Sequence, residues 1–181
     1  MTTDELLVTL LLVIPMAGFL LTALVGRRLH KRAWIIAVPA IIVTWLIGMY
    51  IVYQTLFLHA FGEEDLHFTL YEWVPAGNFS IDFNLAVDAL TAVLLIVVTT
   101  IGMLVHVYSI GYMAHDPGRW RFFAYLNLFM FSMLLLILGD NFLMLYVGWE
   151  AVGLCSYALI GFWYKKPSAA VRLRYQKPIS R

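Results

Sequence analysis

Two ionisable side chains sit in stretches of sequence that offer them almost no polar company. Glu150 lies in "GWEAVGLCSYALIGFWY", residues 148–164, and His106 in "TTIGMLVHVYSIGYM", residues 99–113. A carboxylate and an imidazole are both groups that take up and release protons, and imidazole does so near neutrality. The chemistry such a pair can do inside an apolar medium is proton transfer. The other reading of each is structural. Glu150 can be a glutamate hydrogen-bonded to a neighbouring helix, and His106 an interfacial histidine at the end of its span.

Composition supplies the medium. Of the 181 residues, 62 % are hydrophobic and 13 % are charged, with a mean hydropathy of +0.84. A soluble domain carries about 25 % charged residues, so the expected solvent is lipid. A membrane-crossing helix takes about 20 apolar residues. Five stretches meet that length: about 6–25, 34–57, 88–109, 122–138 and 142–164. They are apolar nearly all round, which argues against a peripheral amphipathic protein. The fold class is therefore all-α and integral to the membrane: a bundle of about five transmembrane helices. Residues 1–164 form this bundle, and 165–181 form a basic tail. The first stretch is read as a retained span and not as a signal peptide. Asp4 and Glu5 precede it, and the basic cluster follows it.

Counting from Phe142, Glu150 is eight residues into the fifth span, about 12 Å deep at 1.5 Å per residue. That is close to the bilayer midplane. Charge there costs several kcal/mol, and Glu is too short to reach the interface. Gly148, Gly153 and Gly161 would let another helix approach. The face bearing Glu150 is accordingly expected to point into the bundle, towards protein or internal water.

The connectors set orientation. "GRRLHKR" at 26–32 holds four Lys/Arg, "YMAHDPGRWR" holds Arg119 and Arg121, and the tail holds six Lys/Arg. The long connector 58–87 carries Glu63, Glu64, Asp65, Glu72 and Asp82 with no Lys or Arg. The basic segments all fall on one face, which by the positive-inside rule is cytoplasmic. The N-terminus is then outside and the C-terminus inside. In the acidic connector, Pro75, Gly77 and Asn78 mark a turn between two extended pieces, a small outer hairpin. Trp73, Phe79 and Phe83 are expected at the lipid interface. Asp88 is placed as the cap of the third span, and Asp140 or Asn141 as the cap of the fifth.

Other classes drop out. No basic patch suits nucleic acid. The single cysteine, Cys155, forms no intramolecular disulfide and has no partner histidine for nucleophilic chemistry. No histidine or cysteine cluster has metal-ligand spacing.

Two stretches resemble a known family. "FFAYLNLFMFSMLLLILGDNFLMLYVGWEAVGLCSYALIGFWY", Phe122 to Tyr164, and "DFNLAVDALTAVLLIVVTTIGMLVHVYSIGYM", Asp82 to Met113, are similar to the subunit L-type antiporter-like chain of respiratory complex I, the proton-pumping NADH:quinone oxidoreductase. The similarity covers about the first 165 residues and implies the N-terminal part of a larger antiporter-like fold. Related cation/proton antiporter subunits share much of the pattern, and a non-catalytic membrane scaffold is the third reading.

The resemblance implies a proton-translocating membrane-arm subunit in an energy-transducing membrane such as the bacterial inner membrane. Its neighbours would be lipid and other membrane-arm subunits. NAD, FMN, iron–sulfur clusters and quinone would belong to other subunits, with no redox site here. Glu150 falls on the family's glutamate of the fifth helix, which pairs with a lysine of the seventh. His106 falls on a polar position of helix three and is carried as a second proton site. "VRLRYQKPISR", from Val171, departs from the family pattern and reads as a truncated or out-of-frame continuation.

Overall fold

A computed structural model describes residues 2–29, 32–58, 66–76 and 79–164, and the side chains of 72–81 fall outside it. The basic tail, Glu63, Glu64, Asp65, Gly77 and Asn78 therefore lie outside the described residues, as do the side chains of Trp73 and Phe79.

The apolar stretches become five helices: α1 Thr3–Leu29, α2 Trp34–Leu56, α3 Ala89–Tyr112, α4 Arg119–Leu138 and α5 Phe142–Ile160. A 3-10 turn, Gly161–Trp163, extends α5. All five are long and apolar enough to cross a membrane. The expected multi-span bundle with a small hairpin is what forms. Pro15 and Pro39 lie inside α1 and α2 without ending either helix.

Neighbours in the chain lie antiparallel, and α1, α2, α3 and α4 close into a ring. α1 packs on α2 and α4, α2 on α3, and α3 on α4. The larger apolar core fills one end, where Leu11, Ile51, Leu95, Leu134 and Leu138 meet. A smaller cluster of Ala37, Val38, Phe123 and Leu126 fills the opposite end. α5 stands outside this ring and packs chiefly on α4.

Between α2 and α3 the chain makes the hairpin β1 (Leu66–Ala76) and β2 (Phe79–Val87), with Leu66 opposite Val87 and Ala76 opposite Phe79. Alternation drives its seating. Leu85 and Val87 are fully buried on the larger core, and Phe68 and Leu70 pack against it. Phe83, expected at the lipid interface, packs on the same core and stacks on Tyr71 with ring centroids 5.2 Å apart.

The hairpin is also tied to the short α4–α5 turn. Asp140 donates its backbone N–H to the Asn84 carbonyl at 3.2 Å, and the Asn141 amide donates to the Asp82 carbonyl at 2.9 Å. Asp140 is paired with His67 Nδ1 at 2.9 Å, so it is a tether and not a cap. Asn141 takes the capping role, its Oδ1 accepting the Met144 backbone N–H at 2.9 Å. Asp88 caps α3, accepting the Thr91 backbone N–H at 2.6 Å. That hydrogen bond is the main cause holding its carboxyl below the ordinary value.

Candidate functional site

α5 decides where Glu150 points. Its buried residues are Met144, Gly148 and Cys155. At about 100° per residue these lie roughly 120°, 160° and 140° around the helix from Glu150. Gly148 is the contact that fixes the rotation: a Cβ there would come within 2.9 Å of the Leu136 backbone on α4. Cys155 completes the seam, its Sγ 3.8 Å from Ser132 Oγ. That environment is a packing contact between helices.

Glu150 is thus exposed on the side of α5 turned away from α4. This corrects the expectation that its face points into the bundle. Within these helices it forms part of an outer face with Trp149, Leu154 and Tyr157, which are 67 %, 63 % and 80 % exposed. The three glycines do not act together. Gly148 is filled by α4, whereas a Cβ at Gly153 or Gly161 would meet nothing within 4 Å. Among the described residues, Glu150 has no hydrogen-bond or ion-pair partner.

His106 has the opposite surroundings. It is 1 % exposed on α3, buried against protein. Its Nδ1 lies 2.7 Å from the Gly102 carbonyl one turn back, and its Nε2 is buried with no partner. The ring lines a cleft between α3 and α4 that Leu159 of α5 also touches. Leu159 is nine residues from Glu150, about 14 Å along the helix and half a turn around it. The structure therefore does not bring the two groups together. They face different spaces.

One polar position escaped the sequence reading. Asn127 in α4 is fully buried between ring helices. Its Nδ2 donates to the Phe123 carbonyl at 3.0 Å, and its Oδ1 faces Gly18 of α1. The signal was present as an amide inside "FFAYLNLFMF", but an uncharged side chain drew no attention beside Glu150.

Known proteins supply the context for an outer face that bears a glutamate. A family profile described as "NADH-Ubiquinone oxidoreductase (complex I), chain 5 N-terminus" matches residues 73–123. Another, "NADH:quinone oxidoreductase/Mrp antiporter, TM", matches residues 139–172, which include Glu150. NADH-quinone oxidoreductase subunit L of Mycobacterium tuberculosis is 44 % identical over 161 residues, covering 89 % of this chain and 25 % of the relative. The Escherichia coli subunit L is 42 % identical over 162 residues, 89 % of this chain and 26 % of the relative. NADH-ubiquinone oxidoreductase chain 5 of Dictyostelium citrinum is 42 % identical over 159 residues, 87 % and 23 %.

The chain matches the N-terminal portion of the subunit L, antiporter-like membrane family. It spans about a quarter of the length of the curated relatives it matches. In the subunit L relatives, most of the chain has no counterpart among these helices. The helices α1–α4 leave one face of α5 uncovered.

Proposed function

We propose that this chain supplies the glutamate-bearing helix of a proton-translocating membrane-arm subunit of an NADH:quinone oxidoreductase. Electron transfer would take place in other subunits, and the protons would move here. The observation that carries this reading is Glu150 itself, a carboxylate eight residues into an apolar helix, on a face its own ring does not cover. An isolated carboxylate at that depth is unfavourable, so the position calls for a counter-charge or internal water. The family resemblance names the counter-charge as a lysine of a later helix. Proton transfer then follows from pairing.

His106 is a second proton site in this reading. It does not touch Glu150 and would act on a separate stretch of any path. The basic connectors would face the cytoplasm and the hairpin the opposite side, in an energy-transducing membrane beside other membrane-arm subunits.

The test is Glu150→Gln in the full-length subunit within the assembled complex, with proton translocation measured per NADH oxidised. Proton yield is expected to fall while complex content stays unchanged. An unchanged yield would refute the role. The 181-residue chain alone, in vesicles, is expected to show no proton flux. A flux abolished by Glu150→Gln would show that these helices suffice.

The profile over 139–172 is shared with Mrp antiporters, which favours a cation/proton antiporter subunit as the second reading. That reading predicts sodium flux dependent on Glu150 and independent of NADH oxidation. A pure scaffold predicts that Glu150→Gln changes neither flux.

A further inference from the structure

Among the described residues, the hairpin and the turn that opens α5 meet through one contact whose strength depends on a proton. His67 Nδ1 of β1 lies 2.9 Å from Asp140 Oδ2. The ties around it are main-chain and amide. The Asp140 backbone N–H donates to the Asn84 carbonyl, Leu85 bridges Gly139, and Asn141 Nδ2 donates to the Asp82 carbonyl. These carry no titratable atom. Asn141 also caps α5 through the Met144 N–H, so residues 139–141 join the hairpin to the first turn of the glutamate-bearing helix.

The chemistry of the pair is asymmetric. An ionised carboxylate only accepts, so Nδ1 must carry a proton to bond it. A neutral ring can do so only as the Nδ1–H tautomer, and the bond is then an ordinary one. An imidazolium offers the same proton with a full charge, and charge-assisted hydrogen bonds are roughly twice as strong. A second carboxylate acts in the same direction: Asp88, at the head of α3, interacts electrostatically with His67. The other charged groups at this end are Asp82 of β2 and Asp4 and Glu5, which open α1. The last turn of α2 and the first turn of α5 bring none. His59, Glu63, Glu64, Asp65 and the Glu72 side chain lie outside the described residues. The sequence holds no Lys or Arg at 33–118 or 122–164, so no described cation competes with the imidazolium.

Both side chains are open to water, 54 % and 34 % exposed. The pair therefore follows the pH of the aqueous phase on the hairpin side and not the membrane interior. We infer that His67 and Asp140 form a proton-operated latch, which holds the turn opening α5 against the hairpin when that aqueous phase is acidic and loosens it when it is alkaline. The closed latch binds the proton more tightly than the open one. Its added stability is fully present at low pH and is lost as pH rises through the titration of the closed ring. An exposed pair is a modest device. It biases local opening of the turn and does not release the hairpin, whose Leu85 and Val87 stay fully buried in the core. The inference does not use Glu150; on the reading proposed above, the phase it senses is the one that receives the protons.

The test uses the unaltered 181-residue chain in lipid nanodiscs. Hydrogen exchange of the Asp140 amide is read as protection relative to its intrinsic rate at each pH. Protection is expected to fall about two- to fivefold between about pH 5 and about pH 8, the range set by an exposed ion pair. In His67→Gln and in Asp140→Asn, which keeps the backbone bond, that pH dependence should vanish. His67→Lys, charged throughout the range, should keep the turn protected at about pH 8. ¹⁵N-histidine spectra follow the ring itself, assigned by its loss in His67→Gln, and its titration midpoint should drop in Asp140→Asn.

Asp140 protection that is independent of pH in the unaltered chain would overturn the inference, and that measurement needs no variant. So would a pH dependence surviving in His67→Gln, or a His67 titration unmoved in Asp140→Asn. A His67→Lys chain as open at about pH 8 as the unaltered one would show that charge is not what closes the turn. Each of these results leaves the Glu150 reading untouched, because none measures proton flux.

Discussion

α4 and α5 are consecutive helices joined by a three-residue turn, yet the ring treats them differently. Half of the apolar window of α4 is buried, against 17 % of that of α5. α4 touches α1, α3 and α5 and carries Asn127 on a fully buried face. α5 uses one narrow seam, centred on Gly148, and leaves Glu150 outside. The lesson concerns what an apolar helix reveals about itself. Lipid-facing and protein-facing residues are equally hydrophobic in a membrane, so neither helix shows which side is buried through its hydrophobic pattern. Close backbone approach and buried polar groups mark the buried side instead.

The largest expected effect breaks the α4–α5 seam. A Cβ at Gly148 has backbone, not a flexible side chain, as its neighbour at 2.9 Å. Gly148→Leu must push α5 off α4. Overpacking of this kind costs about 1–3 kcal/mol, and the immovable neighbour argues for the upper part of that range. Unfolding in mixed detergent micelles checks it. The α5 end of the molecule should open first, read as a loss of Cys155 protection from a membrane-permeant thiol reagent. A Cys155 still protected in Gly148→Leu would show that the seam is not what holds α5.

The corresponding break on the ring side is Gly18→Ala. Its Cβ would sit 2.7 Å from Asn127 Oδ1 and 3.0 Å from the Ala40 Cβ. The amide can move slightly, so a smaller loss of about 1–2 kcal/mol is expected from the same unfolding titration. The double variant Gly18→Ala with Asn127→Ala should recover part of it, because the obstructing oxygen is gone. No recovery would place the strain on α2 instead.

These two glycines also show how far the sequence could be read. The five spans, the hairpin and the Asp88 cap follow from length, charge and turn chemistry. Glu150 stood out because a carboxylate is conspicuous among apolar residues. The rotation of α5 did not follow. Gly148, Gly153 and Gly161 looked like one approach surface, but Gly148 and Gly153 lie roughly 140° apart around the helix. The His67–Asp140 tether was illegible for a different reason. It joins residues 73 positions apart, and nothing local marks either as the partner of the other.

Capping at the hairpin end gives a smaller and pH-dependent effect. Asp88 accepts the Thr91 backbone N–H, which lowers its carboxyl below the ordinary 3.8 in the folded chain. A lowered folded value means that the stabilisation is fully present above pH 3.8. It is lost as pH falls through the folded value. Asp88→Ala should cost about 1 kcal/mol at neutral pH. The gap between variant and parent should narrow as pH falls through the folded value, down to what a neutral acceptor contributes, measured as unfolding midpoint against pH. Asp88→Asn retains an acceptor oxygen and should keep most of the cap while abolishing its pH dependence.

The smallest effect is the most diagnostic, because it sets two glycines of one helix against each other. Gly153 lies five residues beyond Gly148, and a Cβ there meets nothing within 4 Å. Alanine favours helix over glycine by about 1 kcal/mol where packing does not intervene. Gly153→Ala should therefore leave the 181-residue chain as stable as before or slightly more so, whereas Gly148→Ala should weaken it. The sign for Gly153 should reverse in the full-length subunit, where a further helix laid over the Glu150 face would come close to that backbone. The measurement is the same unfolding titration on both chains, with complex assembly as a second readout. A Gly153→Ala that stays neutral in the full-length subunit would mean that nothing packs closely on this face. On the reading proposed above, the counter-charge to Glu150 would then lie across a wider, hydrated gap and not across a helix seam.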